Sequence, residues 1–212
     1  MGQFGMTTDL PLILASTSRY RCELLERLRL PFTMVSPQVD ETPHGGEAPA
    51  SLAVRLGLEK ARAVAVRHPG AVVIGSDQVA DLDGTAIGKP GDHERATHQL
   101  RRMSGKQVLF HTAVAVVHVA KGVERALLAT VTVRFRQLND TDIERYLRAE
   151  QPYDCAGSAK SETLGIALLA SIESDDPTAL VGLPLIRTCE LLRQAGIDPL
   201  RQPAQAPSAL SP

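Results

Sequence analysis

An α/β fold is what this sequence predicts, and three observations predict it. Short apolar runs alternate along the chain with stretches of helical periodicity. Two long β-branched segments, Gln107 to Ala120 and Glu124 to Gln137, are joined by Lys121-Gly122 and read as an extended antiparallel pair. With 43% hydrophobic and 22% charged residues over 212 positions, an ordinary folded core is expected.

Taken in order, residues 1–10 read as a loose leader without the basic and apolar regions of a signal peptide. Leu12 to Ala15 is a short apolar strand. Ser18 is a good N-cap for a helix to about Arg29, with Leu24, Leu25 and Leu28 on its apolar face. Arg19 and Arg21 fall in its first turn, where the helix dipole disfavours cations. Either both point into water, or an anion bound at this end offsets the conflict. Phe32 to Val35 is a second strand. The loop from Ser36 to Pro49 contains Asp40 and Glu41, and reads as an active-site loop or a long connector. A helix follows from about Ser51 to Arg67. Its Lys60 lies four residues from both Leu56 and Val64, on a mostly apolar stripe. A lysine there either snorkels to water or points at an anion.

The stretch Ala71 to Pro90 is the centre of the chain's chemistry. Ala71 to Ile74 reads as a buried strand, and Asp77 stands where that strand runs out. Val79 to Leu82 is extended, Asp83-Gly84 is a hairpin signal, and the return ends at Gly88-Lys89-Pro90. Such a hairpin brings Asp77, Gln78 and Lys89 near each other, unless it is an ordinary surface turn. Asp92 caps a helix through Met103, which Gly105 stops. Asn139 or Thr141 starts another, with Glu144 placed for a capping box. Cys155 to Ser161 is a small-residue loop, Gly165 to Ile172 a strand, and Pro184 opens a final helix that Gly196 closes. Residues 201–212, mostly PAQAPSALSP, read as a disordered tail after a single unit spanning 11–200.

Several function classes are excluded at once. A formal net charge of -1 gives no attraction to nucleic acid or to membrane surfaces. Trp is absent and aromatics are 3%, too few for stacking platforms. Cys22, Cys155 and Cys189 are odd in number and have no zinc spacing, which fits a reducing cytoplasm. No apolar run approaches the ~18 residues of a membrane span. GTAIGKP is not a P-loop, since three residues rather than four separate its glycines and Pro90 follows Lys89. His111, in the long strand, is more simply a satisfied core histidine than a catalyst.

What remains is a set of acids, cations and hydroxyls on loops and strand ends: Ser16, Ser18, Arg21, Glu41, Lys60, Asp77 and Lys89. Glu41 and Asp77 can hold a hard divalent cation through oxygen. The cations can grip phosphates, and the set suits hydrolysis of a phosphoanhydride.

LILASTSRYRCELL, the Val39-Asp40-Glu41 stretch, SDQVADLDG, IGKP, MSGK with FHTAVAV, and CAGSAKSE together resemble Maf-type nucleotide pyrophosphatases, in order, from about Leu12 to Gly196. The resemblance implies a two-lobed, ITPase-like α/β sandwich with a long mixed sheet and a central cleft. It implies a cytoplasmic, homodimeric enzyme that cuts a nucleoside triphosphate between its α and β phosphorus, with Mg2+ or Mn2+ as cofactor. Asp77 falls on the family's proton acceptor, and Ser16, Arg21, Glu41, Lys60 and Lys89 fall on its phosphate-contacting and metal-supporting positions. Glu41 and Asp77 are the metal carboxylates. Tyr20, Gln78 and Glu162 fall on its base-selecting positions. SDQV, VDETP, LVGLPL and CAGSAKSE are similar to the branch that acts on 7-methylguanosine triphosphate. Arg19-Tyr20 stands where that branch has Pro-Trp, which keeps the thymidine and uridine triphosphate branch as the alternative. A regulatory nucleotide-binding role in septum formation is the reading from a different class.

Overall fold

The computed structural model of the protein describes residues 10–201. The leader expected over 1–10 and the tail expected over 201–212 lie, but for one residue each, outside the described residues. β1 (Leu12–Ala15) and β2 (Thr33–Met34) pair in parallel, and β3 (Val72–Leu82) runs parallel to β1 on its other side. β4 (Thr85–Ile87), β5 (Gln107–His118), β6 (Val123–Phe135) and β7 (Leu169–Glu173) are added antiparallel. The result is one mixed sheet, ordered β2-β1-β3-β5-β6-β7, with β4 also on β3. Asp83 and Gly84 turn the β3–β4 hairpin with φ of 55° and 82°, both left-handed, as a two-residue loop of this hand requires.

Helices cover both faces. α2 (Pro49–Ala65) packs Ala61, Val64 and Ala65 against Ile13, Ala15, Val73 and Ala115, and packs Leu52, Ala53 and Leu56 against Val79 and Ala113. On the opposite face, α1 (Arg19–Glu26) and α5 (Leu185–Ala195) close over Leu14, Val72, Ile74 and Val114. Farther along that face, α3 (His93–Met103) and α4 (Asp140–Glu150) close over Ala80, Leu82, Phe110 and Val133. One face of β3 therefore serves two separate apolar clusters. Between them stand Ser76 and Gln78, which side-chain alternation puts on that same face.

Four expectations need correction. The strand does not run out at Asp77: β3 continues through it, held by pairing with β5 from Val73 to Asp81. α1 ends at Glu26, not Arg29, and Arg29 has a left-handed φ of 55°. Gly165 to Ile172 is not all strand, because Leu164–Leu168 is a 3-10 segment. There the chain doubles back so tightly that a Cβ on Gly165 would lie 2.6 Å from the Lys160 backbone nitrogen. The capping box also fails to form. Asn139 caps α4, accepting from Asp142 N at 2.8 Å, while Glu144 reaches His93 at 2.8 Å and pairs with Arg148.

Candidate active site

The site lies where β3 loses a neighbour. β1 pairs with β3 only as far as Ala15 opposite Gly75. β4 takes up the same edge again from Ala80. Among the described residues no strand covers Ser76–Val79 on that edge, and this gap holds Asp77. β1 ends into Ser16 and the start of α1 on one side, and β4 ends toward Lys89 on the other.

Asp77 is 7% exposed and faces α2. Its Oδ1 accepts from Lys60 Nζ at 2.6 Å. The same Nζ lies 2.6 Å from Glu41 Oε1, so one ammonium is shared by two carboxylates. Lys60 is 5% exposed, so it neither snorkels nor stands alone. Its stripe on α2 is apolar because the helix is buried there, and the carboxylates pair the buried charge. Asp77 Oδ2 has no hydrogen-bond partner among the described residues, which leaves that oxygen able to accept a proton.

Arg21 and Lys89 belong to the same electrostatic cluster. Burial draws the Arg21 guanidinium below its ordinary value, opposed by Asp77 and then Glu41. Burial pushes the Glu41 carboxyl up, but Lys60, then Lys89 and Arg21, outweigh it and leave the group below the usual glutamate range. Three cations thus face two carboxylates, and the surplus suits an anionic ligand. Arg21 Nε donates to Gly182 O at 2.9 Å, so a carbonyl oxygen faces this first-turn cation. Ser18 caps α1, accepting weakly from Arg21 N at 3.4 Å. Ser16 Oγ accepts from Ser18 N at 3.0 Å.

The three residues expected to select the base, Tyr20, Gln78 and Glu162, are less closely gathered. Tyr20 sits at the start of α1, its hydroxyl donating to Asp154 Oδ2 at 3.3 Å and accepting from Arg19 Nη2 at 3.1 Å. Its ring is not left bare for a cationic base. The Arg19 guanidinium lies 4.8 Å from the centroid and Lys160 Nζ 5.9 Å from it. Lys160 also approaches Asp154 at 3.6 Å. The amide nitrogen of Gln78 lies 2.9 Å from Ala179 O, 2.9 Å from Leu180 O and 3.0 Å from Thr112 Oγ1. Its N–H groups are therefore spent on the protein, and its Oε1 is the end that remains for a ligand. Glu162 is exposed and lines a cavity of about 330 Å3 with Leu180, Val181 and Ser161. Gln78 bonds to the carbonyls of Ala179 and Leu180, and Leu180 also lines the cavity that Glu162 borders.

Asp154, Lys160, Ser76 and Gly182 went unassigned from the sequence. The sequence carried a signal for Ser76 alone, a polar residue inside an otherwise apolar β3 face. His111 is satisfied, with Nε2 3.2 Å from Asp81 and Nδ1 3.1 Å from Thr130. The cavity of about 530 Å3 on the outer side of α2 contributes no chemistry, since Arg55 is spent on Glu47 and Glu59. That pairing with Arg55 holds the Glu47 carboxyl down at about 2.

Among the described residues no group of three or more His, Cys, Asp or Glu side chains is placed to hold an ion. Mg2+ asks for less than that, one or two carboxylates with substrate phosphates completing its shell. Glu41 and Asp77 are two carboxylates of that kind, and the Lys60 ammonium stands at the point where they converge.

The Maf-like protein family profile matches residues 11–195. The 7-methyl-GTP pyrophosphatase of Polaromonas sp. (strain JS666 / ATCC BAA-500) is 66% identical over 190 residues, 90% of this chain and 87% of that one. The protein of the same name from Albidiferax ferrireducens is 64% identical, covering 89% of this chain and 95% of its own. Another of that name, from Bordetella pertussis, is 64% identical over 89% and 94%.

Proposed function

The chain belongs to the Maf family, and on that premise we propose that it is a nucleoside triphosphate pyrophosphatase. Its substrate in this reading is 7-methyl-GTP, cut between the α and β phosphorus to 7-methyl-GMP and diphosphate, which removes a modified nucleotide from the pool. The observation that carries the reading is the shared ammonium. Asp77 and Glu41 meet Lys60 Nζ at 2.6 Å each, with Arg21 and Lys89 in the same field, beside an uncovered strand edge.

Each residue then has a task. Arg21, Lys60 and Lys89 draw the triphosphate into the gap and neutralise its oxygens. The hydroxyls of Ser16 and Ser18, at the amino end of α1, add donors for the same phosphates. Asp77 orients a water at the α phosphorus and takes its proton on Oδ2, while Oδ1 stays fixed on Lys60. Lys60 fixes the orientation of that carboxylate through Oδ1 at 2.6 Å. Glu41 and Asp77 would hold Mg2+ or Mn2+, which when bound supplies positive charge to the phosphoryl oxygens. Tyr20, Gln78 through Oε1, and Glu162 select the base.

A panel of triphosphates with Mg2+ or Mn2+, assayed for diphosphate, tests the reading. Release should be fastest with 7-methyl-GTP, fall to background with EDTA, and return when the metal is restored. Orthophosphate in place of diphosphate would overturn the assignment of the scissile bond. A preference for thymidine or uridine triphosphate would move the chain to the other branch, and tight binding without turnover would favour a regulatory role. No helix among the described residues is long and apolar enough to cross a membrane. The reading includes a cytoplasmic homodimer, checked by light scattering for twice the chain mass of 22.8 kDa.

A further inference from the structure

The face of β3 opposite Asp77 meets a turn to which the reaction as described gives no task. Ser76 and Gln78, the residues on either side of Asp77, interrupt an apolar face with polar side chains. Both reach the turn Ala179–Gly182. Ser76, fully buried, has its Oγ 3.0 Å from Gly182 O and 2.7 Å from Ala113 O. Thr112, also fully buried, donates to Ala179 O at 2.9 Å, the carbonyl that Gln78 also reaches. The Gly182 carbonyl takes a second donor, Arg21 Nε at 2.9 Å. A carbonyl oxygen has two lone pairs, so beside Arg21 it can accept from Ser76 whenever the single hydroxyl proton turns to it from Ala113 O.

The turn is itself held from behind. Asp176, fully buried, accepts from Arg187 N at 3.1 Å and has Thr178 Oγ1 3.2 Å away. Thr178 Oγ1 also lies 2.8 Å from Leu183 O and accepts from Leu185 N at 2.8 Å. Gly182 has a φ of 124°, where L side chains are strained, and a Cβ there would lie 3.8 Å from Arg21 Nε. With Nε fixed on this carbonyl, the two terminal nitrogens of Arg21 are the ones left to make a fork toward an anion.

We infer that the Ala179–Gly182 turn is a positioning element for the phosphate site, in which Ser76 and Gly182 act through Arg21. The inference rests on Arg21 being a phosphate ligand. It does not rest on turnover, and so the probe is inorganic triphosphate, titrated calorimetrically into the full-length protein. Ser76→Ala should bind it about tenfold more weakly, the effect of one lost hydrogen bond. The same substitution in an Arg21→Ala background should cost nothing further, because residues acting through one another are not additive. Gly182→Ala runs the same cycle as a second variant. Unchanged affinity in Ser76→Ala, or an equal loss with and without Arg21, would overturn the inference, since a merely structural role gives additive losses. If the wild type binds triphosphate yet releases no diphosphate from 7-methyl-GTP, the functional reading fails while the cycle still reports on the turn.

Discussion

Asp77→Asn should lower kcat by about 10²- to 10⁴-fold, the range for loss of a general base, and leave a folded protein. The substitution is nearly isosteric. Its remaining oxygen can still accept from Lys60 Nζ, and Lys60 keeps Glu41 at 2.6 Å, so no buried charge is stranded. What disappears is the carboxylate that accepts the proton. The affinity for the triphosphate should change little, because Arg21 and Lys89 are untouched. Turnover by Asp77→Asn near the wild-type rate, measured as diphosphate release, would remove Asp77 from its role.

Gly75→Ala should have the largest effect on stability. Gly75 precedes the uncovered edge and faces α2 at its closest approach to the sheet. A Cβ there would lie 2.5 Å from Ala61 N and 2.9 Å from Ala61 Cβ, and would collide with the Gly57 carbonyl. Backbone atoms of a packed helix cannot rotate aside, so α2 must move. Overpacking of this kind costs about 3 kcal/mol or more, a fall in Tm of roughly 6–12 °C for a domain of this size. Lys60 adjoins Ala61, so the shift also withdraws the ammonium from Asp77. Activity should therefore fall even well below the melting temperature. Gly57→Ala is the control. Its Cβ would make ordinary contacts, 3.5 Å to Ala113 Cβ, and alanine favours a helix interior by about 0.5–1 kcal/mol. Equal melting temperatures for the two variants, measured by thermal unfolding, would contradict this account of the β3–α2 contact.

Much of this was legible in the sequence where the signal is local. The cap at Asp92, the left-handed stop at Gly196 and the Asp83-Gly84 turn all stand as read, because each depends on a few neighbouring residues. Lys60 on an apolar stripe was a local oddity, and it turned out to be the centre of the charge cluster. The losses are long-range. The apolar run stops before Asp77 and so suggests a strand end, but it is the neighbour β1 that ends and the strand itself continues. The cations over the Tyr20 ring come partly from Lys160, 140 positions along the chain, which no spacing rule brings there. The carbonyls of Ala179–Gly182 have no side-chain identity, so nothing in the sequence announces that Ser76, Gln78, Thr112 and Arg21 converge on them.

Turnover of 7-methyl-GTP in ¹⁸O-labelled water, with the products separated and weighed by mass spectrometry, tests the central claim most directly. If Asp77 delivers water to the α phosphorus, one labelled oxygen enters 7-methyl-GMP, the diphosphate stays unlabelled, and Asp77→Asn forms both products about 10²- to 10⁴-fold more slowly. Label in the diphosphate, or label released as orthophosphate, would mean that water attacks a different phosphorus.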